Sequence, residues 1–168
     1  RRFFKNRSRD RFLVRSRTVE YEGLSVQIRR SGMIEPILHQ LYYKEYERPE
    51  IDGLATVIQA GDRVLELGAG LGIISALASR AAGQSGHVRS YEANPGLIAD
   101  TQAFFTANSV ANVALINAVL VNEADPKPRL FHLAGSFAES SLLGVEVSGS
   151  QGAVEVAAES LSRVLSEF

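Results

Sequence analysis

Apolar and polar residues alternate from Thr18 to Tyr21 and again from Leu24 to Ile28, on either side of Glu22-Gly23. A period of two broken by a two-residue step ending in glycine predicts a β-hairpin with one wet face. Pro36 to Tyr43 predicts a short helix, with Ile37, Leu38 and Leu41 along one side. A second helix is expected from Pro49, a residue suited to a first helical position, to about Ile58. Its apolar stripe is Leu54, Val57 and Ile58.

The rhythm changes at the Gly61-Asp62 turn. Arg63 to Leu67 is a short strand that runs into glycines, and Ile73 to Ala82 carries apolar residues at helical spacing (Ile73, Ile74, Leu77, Ala78, Ala81). Gly83 to Gly86 breaks that helix, and His87 to Glu92 gives the next strand. Asn94 can cap and Pro95 can open a third helix reaching about Asn108, with Leu97, Ile98, Phe104 and Phe105 along it. Val113 to Val121 reads as a single third strand. Strand, helix, strand, helix, strand at this spacing predicts βαβ units, hence an α/β fold with a parallel sheet. Arg129 to Leu133 and Ala153 to Ala157 look like short strands added in antiparallel fashion, Ser140 to Gly152 reads as loop, and Ser160 is placed to cap a last helix through Leu165. The expected organisation is an arm at 1–17, a hairpin with helices at 18–60 and the sheet domain at 61–168.

Composition narrows the class. With 45% apolar and 22% charged residues in 168 positions, the chain has the balance of one folded globular domain. The absence of cysteine excludes disulfides and thiolate metal sites, which makes a reducing compartment, the cytoplasm, the expectation. No apolar run approaches the roughly 18 residues of a membrane span, and residues 1–17 lack the apolar centre of a signal peptide. Because the chain begins at Arg1, a processed N-terminus or a piece of a longer protein is expected. Residues 1–17 hold eight basic residues against Asp10. Such an arm is able to touch polyanions, but it carries no nucleic-acid-binding motif, and a solvated terminus is the expectation.

Glu66-Leu67-Gly68-Ala69-Gly70-Leu71-Gly72 follows a strand and precedes a helix. A glycine-rich turn at that point brings the backbone close to a nucleotide. The dinucleotide fingerprint would need its third glycine at Ile73; the glycines present are Gly68, Gly70 and Gly72. A carboxylate at Glu66 suits a cofactor with a cationic amino-acid end and works against a pyrophosphate. Glu92 ends the second strand twenty residues after Gly72, where a carboxylate can accept both hydroxyls of a ribose. His39, His87 and His132 are scattered without metal-ligand spacing, so no metal is expected, and no residue stands out as a catalytic base.

Val64 to Gly72 resembles the first motif of class I S-adenosylmethionine-dependent methyltransferases. Tyr91-Glu92-Ala93-Asn94-Pro95, the helix ending at Asn108, Ile116-Asn117-Ala118-Val119 and Tyr46-Glu47-Arg48-Pro49 resemble the FkbM family of these enzymes, over roughly residues 40–165. The resemblance implies a Rossmann-like sheet with S-adenosylmethionine as cofactor. Glu66 and the backbone of Gly68, Ala69 and Gly70, with Gly72 closing the loop, would hold its methionine portion, and Glu92 its ribose. Ala93, Asn94 and Leu97 would lie near the adenosine, Asn117 and Ala118 beside the adenine, and Tyr46 and Glu47 would close over the cofactor. It further implies O-methylation of a hydroxyl on a small metabolite or sugar. Ser140 and Ser141 fall where family members approach substrate, though plain loop serines are the simpler reading.

In similar proteins a further strand with an acidic motif follows a region like Val154 to Leu165. This chain stops at Phe168, so a sheet incomplete on its C-terminal side is expected, with a partial cofactor site and self-association through an open edge. Two other functions fit less of the pattern: an NAD-binding oxidoreductase, against which Ile73 and Glu66 argue, and a non-catalytic binding fragment.

Overall fold

The computed structural model describes residues 18–27, 35–134, 142 and 152–168. The basic arm, Ile28, Ser140 and Ser141 lie outside the described residues. Contacts divide the chain into two compact units, Arg1–Tyr46 and Glu47–Phe168.

In the first unit, β1 (Thr18–Tyr21) and β2 (Leu24–Gln27) pair antiparallel, Val19 opposite Val26 and Tyr21 opposite Leu24. That register puts Tyr21, Leu24 and Val26 on one buried face, as the alternation requires. Glu22 and Gly23 both take positive φ, 49° and 71°. Two left-handed residues make the turn whose twist matches that of the strands it joins. Helix α1 (Glu35–Tyr43) buries Ile37 and Leu41 and packs against β1.

The second unit opens with Glu47, left-handed at φ 45°, ahead of α2 (Arg48–Val57). Pattern placed α2 with the hairpin. Contacts place it here, packed on α3 (Ile73–Ala82). Its buried residue is Ile51, whereas Val57 is 69% exposed. Ile51, Leu54 and Ile58 follow the helical repeat of three, four and seven, and Val57 falls off that face.

Three parallel strands follow in the order β3-β4-β5: β3 (Arg63–Leu67), β4 (His87–Tyr91) and β5 (Val113–Ile116). Among the described residues β3 pairs with β4 alone. Helix α3 touches all three strands on one side and α2 on the other. It therefore buries residues nearly all round: Ile73, Ser75, Ala76, Ala78, Ser79 and Ala82. Helix α4 (Pro95–Ala107) starts as expected, with Pro95 in its first turn and Asn94 Oδ1 accepting from the Gly96 amide at 2.9 Å.

The expected third strand is in fact two. Asn117 ends β5, and β6 (Ala118–Val121) leaves the parallel sheet to pair with β8 (Ala153–Ser160). The break has a cause in side-chain chemistry: Asn117 Nδ2 donates to the carbonyls of Glu92, at 2.7 Å, and Ala93, at 3.2 Å. β8 is longer than expected and lies between β6, parallel to it, and β7 (Arg129–His132), antiparallel. Val119, Phe131 and Val156 form the core of this mixed sheet. Helix α5 (Leu161–Ser166) follows directly. Ser160 occupies the capping position, but its hydroxyl pairs with Ser162 Oγ at 3.0 Å rather than with the helix backbone. Tyr91, Ala118 and Val164 pack together, and Tyr91 OH donates to Glu159 Oε2 at 2.9 Å, tying β4 to β8. No helix among the described residues is long and apolar enough to cross a membrane.

Candidate cofactor site

The carboxyl ends of β3, β4 and β5 meet around the glycine bend. The amides of Gly68 and Ala69 both donate to Tyr91 O, at 2.8 and 3.0 Å, so the bend is laced to the end of β4. Thr101 Oγ1, on α4, donates to Gly70 O at 2.8 Å. Two of the glycines serve different ends. At Gly72, φ is +80° and an added Cβ would stand 2.7 Å from Phe105 and 2.8 Å from Thr101, so this glycine lets α4 close on the bend. At Gly68, φ is +89° and an added Cβ meets nothing within 4 Å. The backbone there faces open space, as a cradle for a ligand requires.

Glu92 is held at every polar atom. Its amide donates to Ile116 O at 2.9 Å, and its carbonyl accepts from Asn117. Its side chain turns onto the bend: Oε2 accepts from the Gly70 amide at 2.8 Å and Oε1 from the Asn94 amide at 2.7 Å. A carboxylate offers about four acceptor positions. Two are taken by these amides, one on each oxygen, which leaves one per oxygen for a vicinal pair of hydroxyls. The group is 7% exposed and preset in orientation.

Glu66 lies one strand over. Its Oε2 accepts from Ser75 Oγ on α3. Burial pushes its carboxyl above the usual carboxylate range, and hydrogen bonding by Ser75 offsets this only in part; the charge of Glu92 adds to the upward push. A half-buried acid of this kind, raised by desolvation, has much to gain from a cationic partner.

Other expected residues are placed as follows. Gly70 and Ala69 form the bend, with Ala69 buried. Asn94 is the cap of α4, and Leu97, half-buried, lies in its first turn. Ala93 packs against the Val119, Phe131 and Val156 cluster, and Ala118 is buried against Tyr91 and Val164 behind Asn117. Tyr46 belongs to the first unit, where it is buried, meets Tyr21 edge-on and accepts the Tyr21 hydroxyl at its carbonyl. Glu47 begins the second unit. Sequence reasoning missed Ser75, Ser90 and Thr101, all buried. Their one signal is a hydroxyl at a helix or strand position that packing would give to an apolar residue. Among the described residues no three His, Asp or Glu side chains are grouped to hold a metal ion.

Residues 4–125 match the model of the protein-L-isoaspartate(D-aspartate) O-methyltransferase family. Solved structures similar to the chain include a protein of Clostridium thermocellum described as an rRNA methylase, at 22% identity, covering 44% of this chain and 48% of that one with a TM-score of 0.40. A protein-L-isoaspartate O-methyltransferase is similar at 26% identity, over 40% of this chain and 21% of that one, with a TM-score of 0.36. An S-adenosylmethionine-dependent O-methyltransferase of Thermotoga maritima is similar at 20% identity, over 58% and 38%, with a TM-score of 0.39. The chain spans less than half the length of each of these proteins. No curated protein matches it. The match is not to the FkbM family that Tyr91 to Pro95 resembles, but to another family of the same class. With most of its length matched, the chain belongs to the protein-L-isoaspartate(D-aspartate) O-methyltransferase family, a family of class I S-adenosylmethionine-dependent methyltransferases.

Proposed function

We propose that the chain carries the S-adenosylmethionine site of a methyltransferase whose acceptor is a hydroxyl oxygen on a small metabolite or sugar. The observation that carries the cofactor reading is the Glu92 carboxylate, turned onto the glycine bend with one acceptor position left on each oxygen. Glu92 takes the two ribose hydroxyls. Gly68 leaves room beside the bend, and Glu66 receives the ammonium of the amino-acid end. Asn94 and Leu97 border the adenosine, while Asn117 and Ala118 set the floor by holding the end of β4. The parts of Tyr46 and Glu47 rest on the resemblance alone.

S-adenosylmethionine supplies a methyl group on a sulfonium, ready for in-line displacement. Alignment is then the chief task of the protein. A hydroxyl acceptor must also lose a proton to a base, and no residue of this chain is assigned that role.

The family description favours a second reading, in which the acceptor is the carboxylate of an isoaspartyl residue in a protein. A carboxylate needs no base, and its product is a methyl ester. Transfer of labelled methyl from S-adenosylmethionine to hydroxylated sugars and metabolites, run beside an isoaspartyl peptide, separates the two. Base-stable label on a hydroxylated acceptor is the expected result. Label released as methanol in mild base, from the peptide alone, supports the second reading and overturns the first.

A further inference from the structure

Behind the glycine bend lies a buried polar cluster that ribose binding does not use. Glu66 and Ser90 stand opposite each other in the parallel pairing of β3 with β4, so their side chains share a face. That face is covered by α3, which contributes Ser75. Both serines are fully buried. Ser75 Oγ donates to Glu66 Oε2. Ser90 Oγ has no partner at hydrogen-bonding geometry, yet it lies near enough to Glu66 to favour the ionised form. A buried hydroxyl without a partner is rare in a native protein and calls for an explanation.

A hydroxyl both donates and accepts. Beside an ionised carboxylate it donates; beside a protonated carboxyl it accepts the acid proton. Two such groups, one from α3 and one from β4, can therefore hold Glu66 in one place whichever form it takes. Among the described residues the charged group acting on Glu66 is Glu92, at the end of β4, and it opposes ionisation.

We propose that Ser75 and Ser90 are positioning residues for Glu66, holding its carboxyl in both protonation states so that Glu66 meets the cationic end of the cofactor by giving up a proton. The inference rests on the cofactor reading above. In the step itself, the O–H bond of protonated Glu66 breaks, the proton passes to solvent, and the carboxylate left behind pairs with the ammonium. Ser90, on the same face as Glu66, is then placed to donate to that carboxylate. No covalent bond to the cofactor forms.

Two measurements on the whole chain test this. The first is a carbon-13 titration of the glutamate side-chain carboxyls without cofactor, with the Glu66 signal assigned by its loss in Glu66→Gln. Its midpoint is expected to move to higher pH in Ser75→Ala and in Ser90→Ala, which remove donors to the charged form, and to return in Ser90→Thr. A lower melting temperature with an unmoved Glu66 midpoint in both alanine variants would mean a merely structural role, and would overturn the proposal. The second is calorimetric binding of S-adenosylhomocysteine in buffers of different ionisation heat. Wild type is expected to release a proton near the Glu66 midpoint. Glu66→Gln should release none and bind about tenfold or more weakly, the scale of a lost hydrogen bond to a charged group. Binding without proton release overturns this inference and leaves the cofactor site standing. No binding at any pH overturns both.

Discussion

The parallel sheet β3-β4-β5 and the mixed sheet β6-β8-β7 adjoin within one unit but are held together differently. Behind the first lie four buried polar groups, Ser75, Ser90, Glu92 and Thr101, and the half-buried Glu66, most of them engaged with the glycine bend or with one another. At the centre of the second is an apolar cluster of Val119, Phe131 and Val156. Burying polar groups costs stability unless each finds a partner. Concentrating them behind one loop is what a binding site demands, and apolar packing next to it is what a support demands. The difference fits the proposal that the first sheet carries the ligand chemistry and the second supports it.

The largest effect on stability is expected on the support. Phe131→Ala should cost about 3–5 kcal/mol in denaturant unfolding, as for other buried aromatic truncations. It should disturb S-adenosylhomocysteine affinity less than a change in the bend does. Gly72→Ala comes next. It combines a left-handed residue with a Cβ pressed against Phe105 and Thr101, together about 2–4 kcal/mol. Gly68→Ala carries the same backbone strain without the clash. It should therefore lose less stability than Gly72→Ala while losing cofactor affinity, and paired unfolding and binding curves check both. If the two glycine variants behave alike, the bend has no open side and the comparison fails.

Tyr91→Phe probes the seam between the sheets. It removes the hydroxyl that reaches Glu159 and should cost about 1.5–3 kcal/mol, the range for a hydrogen bond to a charged group. No loss would mean that this hydrogen bond contributes nothing to holding the sheets together. The same hydroxyl is pushed up to about 12 by burial and by Glu159, so it stays protonated as a donor across the working range.

The smallest effect is electrostatic. Burial raises the Glu66 carboxyl, so in the free protein its contribution to stability is fully present below the ordinary glutamate range. That contribution is lost as pH rises through the raised value. Glu66→Gln should thus melt above wild type at neutral pH, with the gap closing in acid. A wild type more stable than this variant at neutral pH would reverse the sign.

The parallel half was legible in the sequence because its signals are local. Asn94 and Pro95 start a helix wherever they stand, and a left-handed bend between strand and helix calls for glycine whatever surrounds it. Ile73 to Ala82 matches α3 residue for residue. The mixed half was less legible. Val113 to Val121 reads as one strand, and what divides it is a contact between Asn117 and two carbonyls more than twenty residues earlier. The length of β8 likewise depends on partners far along the chain. At the proposed site, Glu92 stands out in the sequence from its spacing to the bend. Ser75, Ser90 and Thr101 were not, since their roles come from strand register and from the seating of α3 and α4. The stripe assigned to α2 missed Ile51 because two or three apolar residues in a short helix fit more than one face.

Calorimetric titration of S-adenosylhomocysteine into wild type and Glu92→Ala, each checked for folding by thermal melt, bears most directly on the site. Wild type should bind, and the variant, still folded, should bind at least tenfold more weakly through loss of hydrogen bonds to the ribose. Equal affinity in the two proteins would contradict the assignment of that carboxylate to the cofactor.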